Sequence, residues 1–327
     1  MKAFAYVNPT NEKDAVAALS PQFEQTLPIG GGQDLLARMK DYVTQPDRVV
    51  NVKAALDSSV TPSNGGLRIG AAVKMVDLAE DSQVAQMYPA ISEAAIQVGT
   101  PQIRNQATVG GNLNQRPRCW YFRNEEFVCF KKGGTTCFSI AGENQFHAIF
   151  GGGPSFIVHP SSLAVPMTAY GATFRVLGPQ GERLVPAAEY FTLPSKNVRV
   201  ENVLAPNELL THVMLPAPGT VKSGHYEVRY KASHDWPIAF ATVVLTMNGN
   251  TVQSARVVMG AVAPIPWRSQ AAEQALVGKT ISEDTAAAAA EAALQGATPL
   301  SQNVYKIGVA KTAVKRAILR ADGIQTV

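Results

Sequence analysis

The sequence has 327 residues, 46% hydrophobic and 17% charged, with a formal net charge of +4; at roughly 100–200 residues per domain this predicts two domains or three small ones with a sizeable core, and it excludes wholesale disorder. The mild positive charge comes without a basic run or interleaved aromatics, so nothing points to a nucleic-acid partner. The longest apolar stretch, Trp236 to Met247, is broken by Pro237 and too short to cross a bilayer, and the opening Met1-Lys2-Ala3-Phe4-Ala5 lacks the apolar run of a secretory signal, so membrane, secreted disulfide-rich and fibrous classes are not expected.

In chain order, Ala3 to Tyr6 reads as a strand, and Asn11 with Asp14 as the start of a helix through Leu19. Thr26 to Ile29 reads as a strand entering the loop Gly30-Gly31-Gly32, followed by a helical pattern with Leu35, Leu36 and Met39 on one face. Arg48 to Val52 and Leu67 to Ala71 are further strand candidates, separated by the turn signal Ser63-Asn64-Gly65-Gly66, and Tyr88 to Val98 is a short amphipathic helix ending at Gly99. From Arg116 to Phe150 no period survives. Trp120, Tyr121, Phe122 and Phe127 would be costly to leave in water, so this stretch reads as an ordered insertion. A strand (Ser155 to His159), a helix (Ser162 to Tyr170) and a hairpin pairing Thr173–Leu177 with Arg183–Val185 follow. Leu215-Pro216-Ala217-Pro218-Gly219 is the linker candidate. Beyond it lie a long antiparallel pair, Ile238–Met247 with Thr251–Val262, turned at Asn248-Gly249-Asn250, and three closing helices, the last from Val304 to Arg320. The helix-forming run Ala286 to Ala290 needs no special function.

Two glycine loops can carry chemistry. In Ile29-Gly30-Gly31-Gly32-Gln33-Asp34-Leu35 the glycines let backbone N–H groups approach a phosphate, and a helix N-terminus follows. The spacing is neither the Rossmann fingerprint nor a Walker A loop, and the segment alone reads slightly better as a tight turn. Ala107-Thr108-Val109-Gly110-Gly111-Asn112-Leu113 adds directed hydrogen-bonding groups beside its glycines. Together the two loops are suited to grip one dinucleotide from both sides. Three cysteines, Cys119, Cys129 and Cys137, lie within nineteen residues and are the only ones in the chain. An odd count argues against a disulfide framework and leaves buried thiols or metal ligands. No nucleophile motif of the Gly-x-Ser-x-Gly kind occurs.

At this point the sequence resembles the FAD-binding medium subunit of the molybdenum hydroxylases, the xanthine dehydrogenase and carbon monoxide dehydrogenase family. The resemblance covers essentially the whole chain and rests on Lys2-Ala3-Phe4, the Gly30–Leu35 loop, Arg104-Asn105-Gln106-Ala107-Thr108-Val109-Gly110-Gly111-Asn112, His159-Pro160-Ser161-Ser162-Leu163-Ala164 and Gly260-Ala261-Val262-Ala263-Pro264. It implies an α+β fold: a two-subdomain FAD-binding region of the vanillyl-alcohol-oxidase type over residues 1–217, carrying an insertion at about 116–150, then an antiparallel sheet with helices over 218–327. It also implies FAD contacts from Ile29, Gly30, Gly31, Gly32, Gln33, Asp34 and Leu35, from Thr100, Thr108, Gly110, Gly111 and Asn112, and from Ser162, Leu163 and Lys231. Two positions depart from the family pattern: Gln33 stands where Thr or Ser is usual, and Ser162 replaces an aspartate that usually contacts the cofactor. The segment Arg229-Tyr230-Lys231-Ala232-Ser233-His234-Asp235 is equally a basic site near the flavin or a charged strand end.

The cysteine insertion, continuing through Gly142-Glu143-Asn144-Gln145-Phe146-His147, is similar to that of the 4-hydroxybenzoyl-CoA reductase medium subunit and the bacterial aldehyde oxidoreductase flavin subunits, where it carries a [4Fe-4S] cluster. Cys119, Cys129 and Cys137 would be ligands, with His147 near the position of a fourth cysteine; Arg116, Arg118, Arg123, Lys131 and Lys132 would offset thiolate charge. A three-iron cluster, a Cys₃His zinc site and buried apolar thiols fit the same residues. The implied function is electron transfer in a three-subunit complex: a molybdopterin-containing large subunit oxidises substrate, a [2Fe-2S] small subunit passes electrons to this chain's FAD, and the flavin reduces an external acceptor. Such a role needs no protein acid or base, so no catalytic residue is named. A cytoplasmic location is expected, or a periplasmic one by co-export with a signal-bearing partner. An autonomous FAD oxidase and a non-enzymatic metal-binding module are the competing readings.

Overall fold

The computed structural model describes residues 1–232 and 234–325; Ser233, part of the basic segment singled out above, lies outside them. Three sheets organise the chain. The first joins β1 (Ala5–Val7), β2 (Thr26–Ile29) and β3 (Arg48–Asn51) in the order β1-β3-β2, all parallel. Parallel neighbours require crossovers, supplied here by the helices Glu12–Ala17 and Leu35–Lys40. Asn11 caps the first as expected, its side chain accepting from the Asp14 N–H at 2.9 Å. The second buries Leu35 and Met39 against Val49. The glycine loop leaves the carboxyl end of β2, where the crevices of open parallel sheets lie.

The second sheet is antiparallel. It contains β4 (Val60–Ser63), β5 (Gly66–Gly70), β6 (Thr173–Gly178), β7 (Gly181–Pro186) and β8 (Leu209–Leu215) in the order β4-β5-β8-β6-β7. Asn64 and Gly65, both at positive φ (51° and 78°), turn the first hairpin, as that turn type demands. β8, which the sequence pattern does not single out, occupies the centre of the sheet with six of its seven residues buried.

The third sheet contains β9 (Val221–Val228), β10 (Ala239–Asn248), β11 (Thr251–Gly260) and the two-residue β12 (Trp267–Arg268), in the order β12-β11-β10-β9. The helices Gln270–Leu276, Glu283–Ala293 and Tyr305–Ala321 cover one face. Ala286, Ala289, Ala290 and Ala293 form the buried stripe of the middle helix, so the alanine run is its packing face. Among the described residues no helix is long and apolar enough to cross a membrane.

Two local expectations fail. Ser155–His159 forms no strand: its contacts are single bonds, Phe156 C=O accepting from Ala148 N–H (2.8 Å) and His159 N–H donating to Ala263 C=O (2.9 Å), which tie the insertion to the third sheet. The helix expected from Ser162 starts at Ala164, because the Ser161 hydroxyl accepts the Ala164 N–H at 3.0 Å. The insertion itself is ordered but irregular, with a short helix Trp120–Arg123, one 3₁₀ turn Phe130–Lys132 and an aromatic cluster in which Phe127 lies 5.1 Å from both Tyr121 and Phe138. Phe122 is buried, whereas Trp120 remains 36% exposed.

Two glycines test this packing. A Cβ on Gly224 of β9 would lie 2.3 Å from the Ala317 carbonyl oxygen of the covering helix, whereas one on Gly308 in that helix would meet nothing within 4 Å. Gly224→Ala is expected to cost about 1–3 kcal/mol by overpacking, and Gly308→Ala to stabilise by roughly 0.5–1 kcal/mol through helix propensity. Thermal unfolding of both variants by circular dichroism reads the opposite signs.

Candidate functional site

The two glycine loops meet. A Cβ on Gly30 would lie 2.6 Å from Thr108 Oγ1, and one on Gly31 would lie 2.0 Å from the Gln106 carbonyl oxygen. These contacts, rather than turn geometry alone, are why side chains are absent there. Gly32 has φ = 74° and needs glycine for its backbone conformation. The junction forms one wall of a cleft of about 650 Å³, within the range of small-molecule and cofactor sites. Every residue from Ile29 to Leu35 lines this cleft, together with Thr100, Thr108, Gly110, Gly111, Asn112 and Ser162. Leu163 is fully buried behind the wall, and Lys231 is exposed outside it; the neighbouring His234, Asp235, Trp236 and Pro237 line the cleft instead.

The polar side chains of the second loop are spent on shaping it. Thr108 Oγ1 accepts from Gly111 N–H (3.2 Å), and Thr100 Oγ1 from Ile103 N–H (3.3 Å). Asn112 Oδ1 accepts from the Ser161 hydroxyl at 2.6 Å. Ser161, which sequence reasoning passes over in favour of Ser162, thus ties the His159-Pro160-Ser161 segment to the loop.

Below the first loop lies a buried charge network. The Asp34 carboxylate pairs with Arg118, with Arg123 Nη2 (2.5 Å) and with Arg38 Nε (3.2 Å), and accepts the backbone N–H of Arg116 (3.2 Å). Burial opposes ionisation of Asp34, but the guanidiniums of Arg118, Arg38 and Arg123 outweigh it and hold the carboxyl well below the usual carboxylate range. Arg116 bridges Glu24 (2.7 Å) and Glu201 (2.8 Å), and Lys131 pairs with Glu201 at 2.6 Å. Burial likewise opposes the Glu201 charge, and Arg116 and Lys131 overcome it, so its pKa is also depressed. The basic residues expected to offset thiolate charge therefore answer carboxylates instead. Only Lys132 does not: it donates to the backbone carbonyls of Tyr121 (3.2 Å) and Asn124, and burial lowers its pKa against the smaller opposing pull of Cys129, Cys119 and Glu125. The partners Asp34, Glu24 and Glu201 lie 70 to 92 residues in sequence from the insertion's arginines and Lys131, beyond the reach of local pattern reading.

The three cysteines are free thiols, Cys129 buried and the other two half-buried. Cys119 precedes the helix Trp120–Arg123, and Cys129 bridges in parallel to Thr136, the neighbour of Cys137. His147 Nε2 lies 3.2 Å from Cys119 Sγ, while its Nδ1 is buried without a hydrogen-bond partner. Burial pushes the Cys119 thiol up to about 11, with smaller contributions from Cys129 and Cys137. Burial, reinforced by the Lys306 charge, brings His147 down to about 4, leaving the imidazole neutral and able to ligate. Cys137 Sγ contacts Ser139 Oγ at 3.1 Å. Among the described residues no three His, Cys, Asp or Glu side chains converge as a metal-binding group. The segment around His147 is held by the closing helix: Lys306 Nζ donates to the carbonyls of Phe146, His147 and Ala261 (2.6–3.1 Å), and Asn303 Nδ2 to that of His147 (3.0 Å).

Residues 2–218 match the family described as the FAD-binding domain in molybdopterin dehydrogenase, and residues 224–321 match the CO dehydrogenase flavoprotein C-terminal domain. The chain is 34% identical over 326 residues to the aldehyde oxidoreductase FAD-binding subunit PaoB of Escherichia coli, covering 98% of this chain and 99% of that one. It is 27% identical to the carbon monoxide dehydrogenase medium chain of Afipia carboxidovorans, covering 98% of each. Among solved structures, carbon monoxide dehydrogenase from Hydrogenophaga pseudoflava superposes with a TM-score of 0.76 at 26% identity, covering 98% of both chains.

The charge network predicts an acid limb of stability. Because the native pKa values of Asp34 and Glu201 are depressed, the unfolded chain binds more protons below the ordinary values of about 3.9 and 4.3; stability is full above that window and falls as pH drops through it. Glu201→Gln leaves Lys131 buried without its counter-charge and Arg116 with Glu24 alone, and is expected to cost about 3–5 kcal/mol at neutral pH while flattening the acid limb. Thermal midpoints from pH 7 to pH 3 for both proteins check both effects.

Proposed function

Because the chain belongs to the family of FAD-binding subunits of molybdopterin dehydrogenases, we propose that it is the flavin-bearing electron-transfer subunit of a molybdenum-hydroxylase complex of the aldehyde oxidoreductase or xanthine dehydrogenase type. Its partners in this reading are a large subunit with molybdopterin and a small subunit with [2Fe-2S] clusters, and an external acceptor takes the electrons. The observation that carries it is the junction of the two glycine loops, where Gly30 and Gly31 have no room for a Cβ on the wall of a cofactor-sized cleft. Bound FAD supplies the exchange between single electrons from iron–sulfur centres and electron pairs for an acceptor. The chain's own part is placement: glycines 30–32 and 110–111 bring backbone close to the pyrophosphate, Thr108, Asn112 and Ser161 fix the second loop, and Ser162 offers a hydroxyl where the family has a carboxylate.

In this reading the insertion holds a [4Fe-4S] cluster through Cys119, Cys129, Cys137 and His147. Its support is that the chain's only three cysteines fall in one insertion and that the neutral His147 ring already faces Cys119. Thiolate coordination requires loss of the thiol protons, so loading is expected to release protons and to be favoured by rising pH.

The test is an absorption spectrum of the anaerobically purified chain with flavin, iron, sulfide and zinc quantified on the same sample. One FAD with four irons and four sulfides per chain is expected. FAD without iron would reduce the insertion to a structural element, and zinc without FAD would overturn the reading. Gly31→Val, which forces the loops apart, is expected to lose most of its flavin, and Cys129→Ser to lose its iron while keeping its fold by circular dichroism.

A further inference from the structure

Three guanidiniums of the cleft wall, those of Arg38, Arg118 and Arg123, gather on the single carboxylate of Asp34. One donor is stranded. Arg38 Nη1 has no hydrogen-bond partner although its side chain is only 7% exposed; its nearest carboxylate oxygen, on Glu24, is 3.6 Å away, too far for a hydrogen bond. Arg38, Arg118 and Arg123 all line the cleft beside Gly32 and Gln33. A buried guanidinium donor left without an acceptor at the wall of a cleft points to an anionic ligand oxygen, and the guanidinium fork suits phosphate.

We propose that the cysteine insertion completes the cofactor site: Arg118 and Arg123, brought from the insertion onto Asp34, act with Arg38 as the cationic seat of the FAD pyrophosphate. The inference rests on the flavin reading above and adds a role for residues outside the glycine loops. Asp34 serves as the template. Its carboxylate points inward and fixes the three guanidiniums around it. Arg118 is further locked by Gln115 Oε1 (2.8 Å), by the Arg116 carbonyl (2.8 Å) and by stacking 4.9 Å over Trp236, itself a cleft residue. Preset donors of this kind bind without reorganising. Since Arg118 adjoins Cys119, seating the pyrophosphate and ordering the first cysteine become linked, and the linkage acts equally in both directions.

The experiment uses the full chain stripped of flavin, titrated by fluorescence with FAD and with riboflavin, which lacks phosphates, at low and high salt. The wild-type FAD dissociation constant is expected to rise roughly fivefold or more as the Debye length shrinks from about 10 Å to 3 Å, with riboflavin binding unmoved. Arg118→Gln/Arg123→Gln is expected to weaken FAD about tenfold or more, leave riboflavin binding alone and lose much of the salt dependence; Arg118→Lys/Arg123→Lys restores part of it. FAD is also expected to slow labelling of Cys119 by a thiol reagent in the wild type and not in the Gln variant. Salt-insensitive FAD binding by the wild type, or unchanged FAD affinity in a folded Gln variant, overturns the proposal and leaves the flavin reading standing. Failure of the wild type to bind either flavin overturns that reading itself. The wild-type salt comparison decides the matter even if the Gln variant does not fold.

Discussion

The Asp34 carboxylate is the constraint on which the rest of the site depends. It lies at the end of the first glycine loop, only 14% exposed, and meets Arg38 from its own helix, two guanidiniums from the insertion and one backbone N–H. A carboxylate so buried could not remain ionised alone, because desolvation would protonate it; three cations reverse that balance. Buried ion pairs add little net stability compared with apolar packing of the same volume, but breaking one partner out of such a set is expensive. Their value here is geometric. The loop between β2 and its following helix cannot shift without moving the insertion, and the insertion cannot detach without leaving charge stranded.

A second buried group, Glu201, extends the same logic across the molecule. It sits between β7 and β8 and joins Arg116 and Lys131 of the insertion, while Arg116 continues to Glu24 beside β2. One guanidinium and one ammonium thus connect the first sheet, the insertion and the second sheet. At the far end of the insertion, Lys306 and Asn303 of the C-terminal region hold the carbonyls around His147. The insertion is therefore a strut anchored at both ends, which explains how some thirty-five residues with so little regular structure remain packed.

The sequence made the glycine loops legible because their signal is local: a strand, a cluster of glycines, a helical stripe. The long β10–β11 pair was readable for the same reason, since periodicity and turn residues occur in neighbouring positions, whereas the α+β architecture followed from the family resemblance. What escaped depends on distance. β8 is a central strand buried on both faces, and its Thr211 and His212 interrupt the apolar run that would announce it; the second sheet fixes it through pairing with β5 and β6 on either side. Ser155–His159 has the composition of a strand but finds no edge to pair with. The arginines of the insertion look, in sequence, like counter-charges for the adjacent thiols, and only the fold shows that carboxylates elsewhere claim them.

This separation of roles bears on how a long irregular insertion can be added to a folded domain at all. Such a loop carries a large ordering cost, which grows with every residue not fixed by secondary structure. Here much of the ordering is supplied by Asp34 and Glu201 at one end, by Lys306 and Asn303 at the other, and by the Tyr121–Phe127–Phe138 cluster between them. Burial raises the Cys119 thiol and lowers the His147 ring that faces it, so this pair rests neutral. Charge that orders the insertion is thus kept apart from the thiols and directed to the cleft wall, where the same guanidiniums can serve a second purpose.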